Sequence, residues 1–170
     1  MAKLIKANEY GQLELNQVAF RRDGRIIAQY ALGDIDVAEN GMLLAIDHVN
    51  KTVNKPAKAD DNANVALNYT TEHMYDERLA NGLKHFKLEK GTFLPRLGLL
   101  ATGDRFTTNT VEYEGALNDL KAAVKGGTIY GHVSTTGYIT VDNKKEGALL
   151  QAIEFTTMPD GSDAIKFVVL

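Results

Sequence analysis

Short turn signals built on glycine recur along this chain, and each sits next to a run of apolar, β-branched or aromatic residues. Asp23-Gly24, Asn40-Gly41, Lys90-Gly91, Gly103-Asp104 and Pro159-Asp160-Gly161 all follow this pattern. Glycine accepts positive φ without a steric penalty, and proline presets φ at the preceding corner, so such signals read as places where an extended chain reverses. This cadence predicts a chain made mainly of short strands.

Gln12–Phe20 begins as an apolar/polar alternation, and Arg25–Leu32 is rich in β-branched and aromatic residues. With Asp23-Gly24 between them they predict a hairpin. Met42–His48 followed by Asn50–Val53 predicts a second one. Further strands are expected at Val65–Thr70, Phe86–Leu88, Thr92–Leu100, Arg105–Tyr113, Thr128–Val133, Gly137–Val141, Leu149–Thr157 and Ala164–Leu170. About nine strands are expected across these segments, with Thr107, Thr108, Thr110 and Val111 stiffened at χ1 in favour of a pleated surface.

One segment departs from the pattern. Glu114–Lys125 places Leu117, Leu120 and Val124 on one helical face, with acids early and lysine late, and Gly126-Gly127 supplies the stop. A weaker helical turn is expected within Glu72–His85, where Tyr75, Leu79 and Leu83 are spaced four apart. The expected architecture is therefore mainly β with one helix (α+β): a compact β-barrel or sandwich with a helix near residues 114–125, in a single domain spanning 1–170.

Two segments stand apart from this core. Residues 54–64 are polar and interrupted by Pro56, and are expected as an exposed loop; residues 1–10 interleave charge with apolar side chains and are expected as an N-terminal arm. Both are candidates for ordering on a partner. Tyr10, Pro56, Asp60 and Asp61 are accordingly the expected partner-binding residues.

Composition narrows the chemistry. The chain has no cysteine, which removes disulfides, thiolate metal sites and thiol nucleophiles. Its 19 basic and 22 acidic residues are scattered, leaving a net charge of −3, so no basic stripe suits a nucleic-acid backbone. No run approaches the roughly 18 apolar residues of a membrane span, and the N-terminus lacks the apolar stretch of a secretory signal. Synthesis in the cytosol, with no membrane and no nucleic-acid partner, is the expectation.

No catalytic set emerges. His48, His73, His85 and His132 lack the spacing of a metal motif and read as structural. Asp60-Asp61, Asp104, Glu112, Glu114 and Asp119 include carboxylates of the kind glycosidases pair across a cleft, but a solvated face accounts for them. Gly126-Gly127 with Gly131 follows a helix and precedes a strand, the reverse of a phosphate loop. Neither Ser134 nor Ser162 sits in a nucleophile elbow. Tyr10, Phe20, Tyr30, Tyr69, Tyr75, Tyr113, Tyr130 and Tyr138 fill a core or line a contact face. The expectation is a protein that is not an enzyme and carries no cofactor and no metal.

Asn40–Asp47, Thr92–Leu97, Gly103–Phe106 and Met158–Lys166 resemble the small accessory proteins encoded beside the major capsid proteins of tailed bacteriophages, in which glycine turns launch short apolar strands. The resemblance implies a capsid decoration or cement protein on the virion surface. Its expected partner is the major capsid protein, and a second copy of the chain is a further expected partner. The helix and the chain length exceed what minimal decoration domains need, which keeps a tail or baseplate component open, as well as a ligand-binding β-barrel module or a small hydrolase.

Overall fold

A computed structural model describes residues 2–6, 10–70 and 83–170. The chain opens with β1 (Lys3–Leu4) and β2 (Leu13–Gln17), then turns through a short helix, α1 (Ala19–Asp23). The middle of the chain supplies β3 (Ile26–Ile27), β4 (Ala31–Leu32), β5 (Val37–Ala38), β6 (Leu43–Asp47), β7 (Thr52–Asn54), β8 (Val65–Asn68), β9 (Leu88–Glu89) and β10 (Leu97–Gly98). The last third supplies β11 (Arg105–Thr108), β12 (Val111–Tyr113), helix α2 (Leu117–Lys125), β13 (Tyr130–Val133), β14 (Ile139–Asp142), β15 (Leu150–Thr157) and β16 (Asp163–Val169).

The first and last stretches share one eight-stranded sheet, in the order β1-β12-β14-β13-β15-β16-β11-β2. The middle stretch forms a six-stranded sheet, β3-β10-β8-β6-β7-β4, and the pair β5-β9. The fold is thus mainly β, as expected, and the sheets are stacked like a sandwich rather than closed into a barrel. Residues 18–104 form one continuous excursion from the large sheet, because β2 and β11 are direct antiparallel neighbours with Gln17 opposite Arg105.

The central strands of the six-stranded sheet are buried on both faces, and their side chains alternate between two apolar clusters. Leu43, Val65 and Leu67 point into a large cluster shared with the eight-stranded sheet and α2. Leu44, Val53, Ala66 and Leu97 point the other way, into a smaller cluster completed by Leu32, Ile35, Ala38, Met42 and Leu88. This explains why Val65–Asn68 reads as an unbroken run rather than an alternation: all four residues are buried.

Where β11 and its loop meet the middle layer, the buried groups are polar and several of them pair with one another. Gln12 N–H donates to Asn109 Oδ1 at 2.6 Å, Thr108 Oγ1 to the Gln12 carbonyl at 2.7 Å, and Asn68 Nδ2 to the Glu39 carbonyl at 2.8 Å. Gly41 belongs here for a steric reason: at φ 85° a Cβ would lie 2.1 Å from Thr108 Oγ1.

Several expectations hold. β6 and β7 form the second predicted hairpin, with Asp47 Oδ1 accepting the Val49 and Asn50 N–H groups at 2.9 Å each. Pro159-Asp160-Gly161 turns β15 into β16, with Gly161 at φ 83°. Helix α2 starts three residues after the predicted boundary, buries Leu120 and Val124, and ends at Gly126, whose N–H reaches the Ala122 carbonyl.

The first predicted hairpin is corrected. Gln12–Phe20 and Arg25–Leu32 do not pair: β2 pairs with β11, β3 with β10, and β4 runs parallel to β7. Asp23-Gly24 ends α1 instead, with Gly24 at φ 71° and its N–H on the Phe20 carbonyl. The reason is Phe20, fully buried in the large cluster and seated against Gly98, where a Cβ would come within 2.4 Å of its ring. Among the described residues, a second helix and sixteen strands therefore stand where one helix and about nine strands were expected; six of the strands have only two residues.

Candidate functional site

The four expected partner-binding residues fall in different settings. Tyr10 is half-buried, with Lys87 Nζ 5.4 Å above its ring centre. Pro56 is buried, which removes it from any surface contact. Asp60 is exposed but committed: its N–H donates to the Val133 carbonyl at 3.0 Å and its carboxylate meets His132 Nδ1 at 2.9 Å. Asp61, half-buried, precedes the 3₁₀ turn at Asn62–Asn64.

The expected loop at 54–64 is exposed only in part, over residues 55, 57–60 and 63–64. Lys55 N–H donates to Asp34 Oδ1 at 2.9 Å, and Asn62 Nδ2 to the Gly147 carbonyl at 2.9 Å, so with Asp60 the segment is fastened at three points. Of the expected arm at 1–10, residues 3–6 lie within the fold: β1 pairs with β12, Ile5 is buried, and the Lys6 side chain is 7% exposed.

Lys6 ends in a buried polar group that carries no sequence signal. Its Nζ lies 2.5 Å from Glu39 Oε2, Tyr138 donates its hydroxyl to Glu39 Oε1 at 2.5 Å, and Gly11 N–H donates to Oε2 at 2.5 Å. Burial, reinforced by the adjoining Glu39 carboxylate, pushes the Tyr138 phenol well up, so it remains a donor. The group fastens the start of the chain to the β14 side of the large sheet.

His132 is similarly enclosed. Its Nε2 lies 2.9 Å from the Lys144 carbonyl and 3.1 Å from Asp142 Oδ1, opposite the Asp60 contact. The ring therefore ties loop 54–64 and the β14–β15 connection to β13. His48 Nδ1 meets the Tyr30 hydroxyl at 2.9 Å, and His85 lies in the 3₁₀ turn at Leu83–His85; His73, Tyr75 and most of the expected helical turn at 72–85 lie outside the described residues. Among the described residues no three histidines or carboxylates cluster to hold a metal.

The expected carboxylates scatter as well. Asp104 is buried and accepts the Ala19 N–H at 2.7 Å and the Ala101 N–H at 2.9 Å, which pins the two ends of the 18–104 excursion together. Glu112 accepts from Thr136 Oγ1 at 3.1 Å. Glu114 and Asp119 line a groove beside α2.

Exposed apolar side chains are the feature that sequence reasoning missed. Phe93 is 68% exposed and Leu94 52%, side by side in the loop from β9 to β10, and Val49 stands 91% exposed at the β6–β7 turn. Pro95, buried directly after Leu94, anchors that loop from below. It was also the one cue available, since a proline cannot donate to a ladder and argues against a continuous strand through 92–100. The strand pairings put Phe93 and Leu94 at the end of the sheet where β6 begins, and Val49 at the opposite end.

No family model matches the chain, and no match was found among curated proteins or solved structures.

Proposed function

We propose that this protein is a structural component of a virus particle, docking on the outer surface of an assembled phage head and stabilising it. The observation that carries this reading is the Phe93-Leu94 pair, two adjacent large apolar side chains held out from a proline-anchored loop. Burying two large apolar side chains gives each copy a modest contact, which repetition over a lattice makes strong. The resemblance to capsid accessory proteins supplies the kind of lattice.

Mass spectrometry of gradient-purified particles from a lysate of the source tests the reading through copy number relative to the major coat protein. A copy number comparable to that of the coat protein is expected, and absence from particles sinks it. Replacing both Phe93 and Leu94 with serine is expected to cut particle occupancy at least tenfold while the circular dichroism spectrum stays unchanged. Retained occupancy would move the contact elsewhere on the surface.

A further inference from the structure

Helix α2 lies over one part of the large sheet and leaves a groove of about 430 Å³ between its inner face and the strands β12 and β14. Leu120, Ile129 and Val141 form an apolar floor, and Glu114, Asp119 and Asp142 stand around it. The volume falls within the range of small-ligand sites, roughly 300–1,000 Å³. Among the described residues, three carboxylates and no cationic side chain line it.

An apolar floor with a carboxylate rim selects a particular shape of occupant. A bare cation gains nothing from the floor, and a neutral alkyl group gains nothing from the rim. A chain of methylenes ending in a positive charge uses both, as lysine and arginine do when the stem lies on apolar surface and the head stays at the polar edge. The groove is open on one side, so a polypeptide passing over it can lay a single side chain inside.

We propose that this groove is a docking site for a lysine or arginine side chain of a partner protein. Asp119 receives the cationic head, Leu120, Ile129 and Val141 cover the stem, and Glu114 adds negative charge at the rim. Asp142 contributes charge while its Oδ1 remains on the Lys144 N–H and His132. The proposal stands without the virion reading, since neither Phe93 nor Leu94 is among the residues it uses and it is tested on the isolated protein.

The test is amide chemical-shift mapping of the intact protein titrated with N-acetyl-lysine methylamide and N-acetyl-arginine methylamide, beside the norleucine analogue, which keeps the stem and drops the charge. Saturable shifts are expected at residues 113–114, 119–123, 128–129 and 140–143 with both cationic probes, and at least tenfold weaker binding with norleucine. Asp119→Asn is expected to weaken the lysine probe about fivefold, and Ala123→Leu, which fills the groove from the helix, to abolish binding while the spectrum stays dispersed. Equal binding of norleucine, indifference to both variants, or no shifts in this region would overturn the proposal. Tighter binding of 1,5-diaminopentane than of either amino-acid probe would also overturn it, by assigning the groove to a free amine.

Discussion

The two apolar clusters on either side of the six-stranded sheet are built differently. The larger one is aromatic and lies under long strands: Phe106 and Phe167 stack at 5.9 Å, Phe20 meets Tyr69 at 5.1 Å, and β15 and β16 run eight and seven residues above them. The smaller one holds aliphatic side chains and Met42 under two-residue strands such as β5 and β9 and the loops between them. Long ladders satisfy backbone groups cooperatively and seal bulky rings away from water. A layer of loops covers less and opens more easily. The loop that presents Phe93 and Leu94 belongs to the second kind, joining the strands that contribute Leu88 and Leu97 to the smaller cluster.

The sharpest way to break this comparison is to cut into each cluster in turn. Phe167→Ala is expected to cost about 4 kcal/mol and to lower the whole unfolding transition, as a large cavity under a continuous ladder should. Glu39→Gln, between the two, is expected to cost about 3 kcal/mol, because it removes the charge that lies 2.5 Å from the buried Lys6 ammonium. Leu88→Ala is expected to cost about 2.5 kcal/mol. Its hydrogen-exchange signature should be local, accelerating amides of 36–38 and 88–98 while β15 and β16 stay protected. Uniform acceleration after Leu88→Ala would mean the two clusters open as one unit.

The smallest effect is at the turn of the long hairpin. Desolvation alone would raise the Asp160 carboxyl, but hydrogen bonds from Ser162 and Gln12 and the charge of Lys84 hold it below its ordinary value of 3.8. A depressed carboxyl contributes stability above the ordinary range and loses it as pH falls through the folded value. Asp160→Asn is therefore expected to lower Tm slightly at neutral pH and to flatten the acid limb of a Tm–pH profile below about pH 4. An unchanged acid limb would show that the Ser162 and Gln12 contacts do not depend on the charge.

What could be read from sequence divides along the same line as the physics. The β6–β7 hairpin, the β15–β16 hairpin and α2 were legible because their defining chemistry is local: Asp47 beside Asn50, Pro159 before Gly161, Leu120 four residues before Val124. Strand partners far apart in the chain left no such mark. Nothing in Leu13–Gln17 indicates that it pairs with Arg105–Thr108, or that Val111–Glu112 runs parallel to Ile139–Thr140. Helix α1 was missed for that reason, since the packing of Phe20 against Gly98 that favours it is one which no neighbour reveals. The candidate site was less legible still. Whether Phe93 is exposed or Pro56 buried is decided by what the rest of the chain brings to them, and Glu39 looks like any other surface acid until Lys6 and Tyr138 close over it.

The pairing of Gln17 with Arg105 also bears on how the molecule is assembled in time. β15 and β16 are separated by a tight turn and can zip within microseconds. β2 must wait for a partner on the far side of residues 18–104, and the entropy of closing so long a loop, growing as the logarithm of its length, is offset only once that excursion has itself collapsed. On a ribosome the delay is longer, because β1 and β2 emerge well before β12 and β11, the strands that receive them, which follow only after residues 18–104. The earliest-made strands of the large sheet are thus expected to be among the last to join it, and Leu13 and Leu15 stay uncovered for most of synthesis.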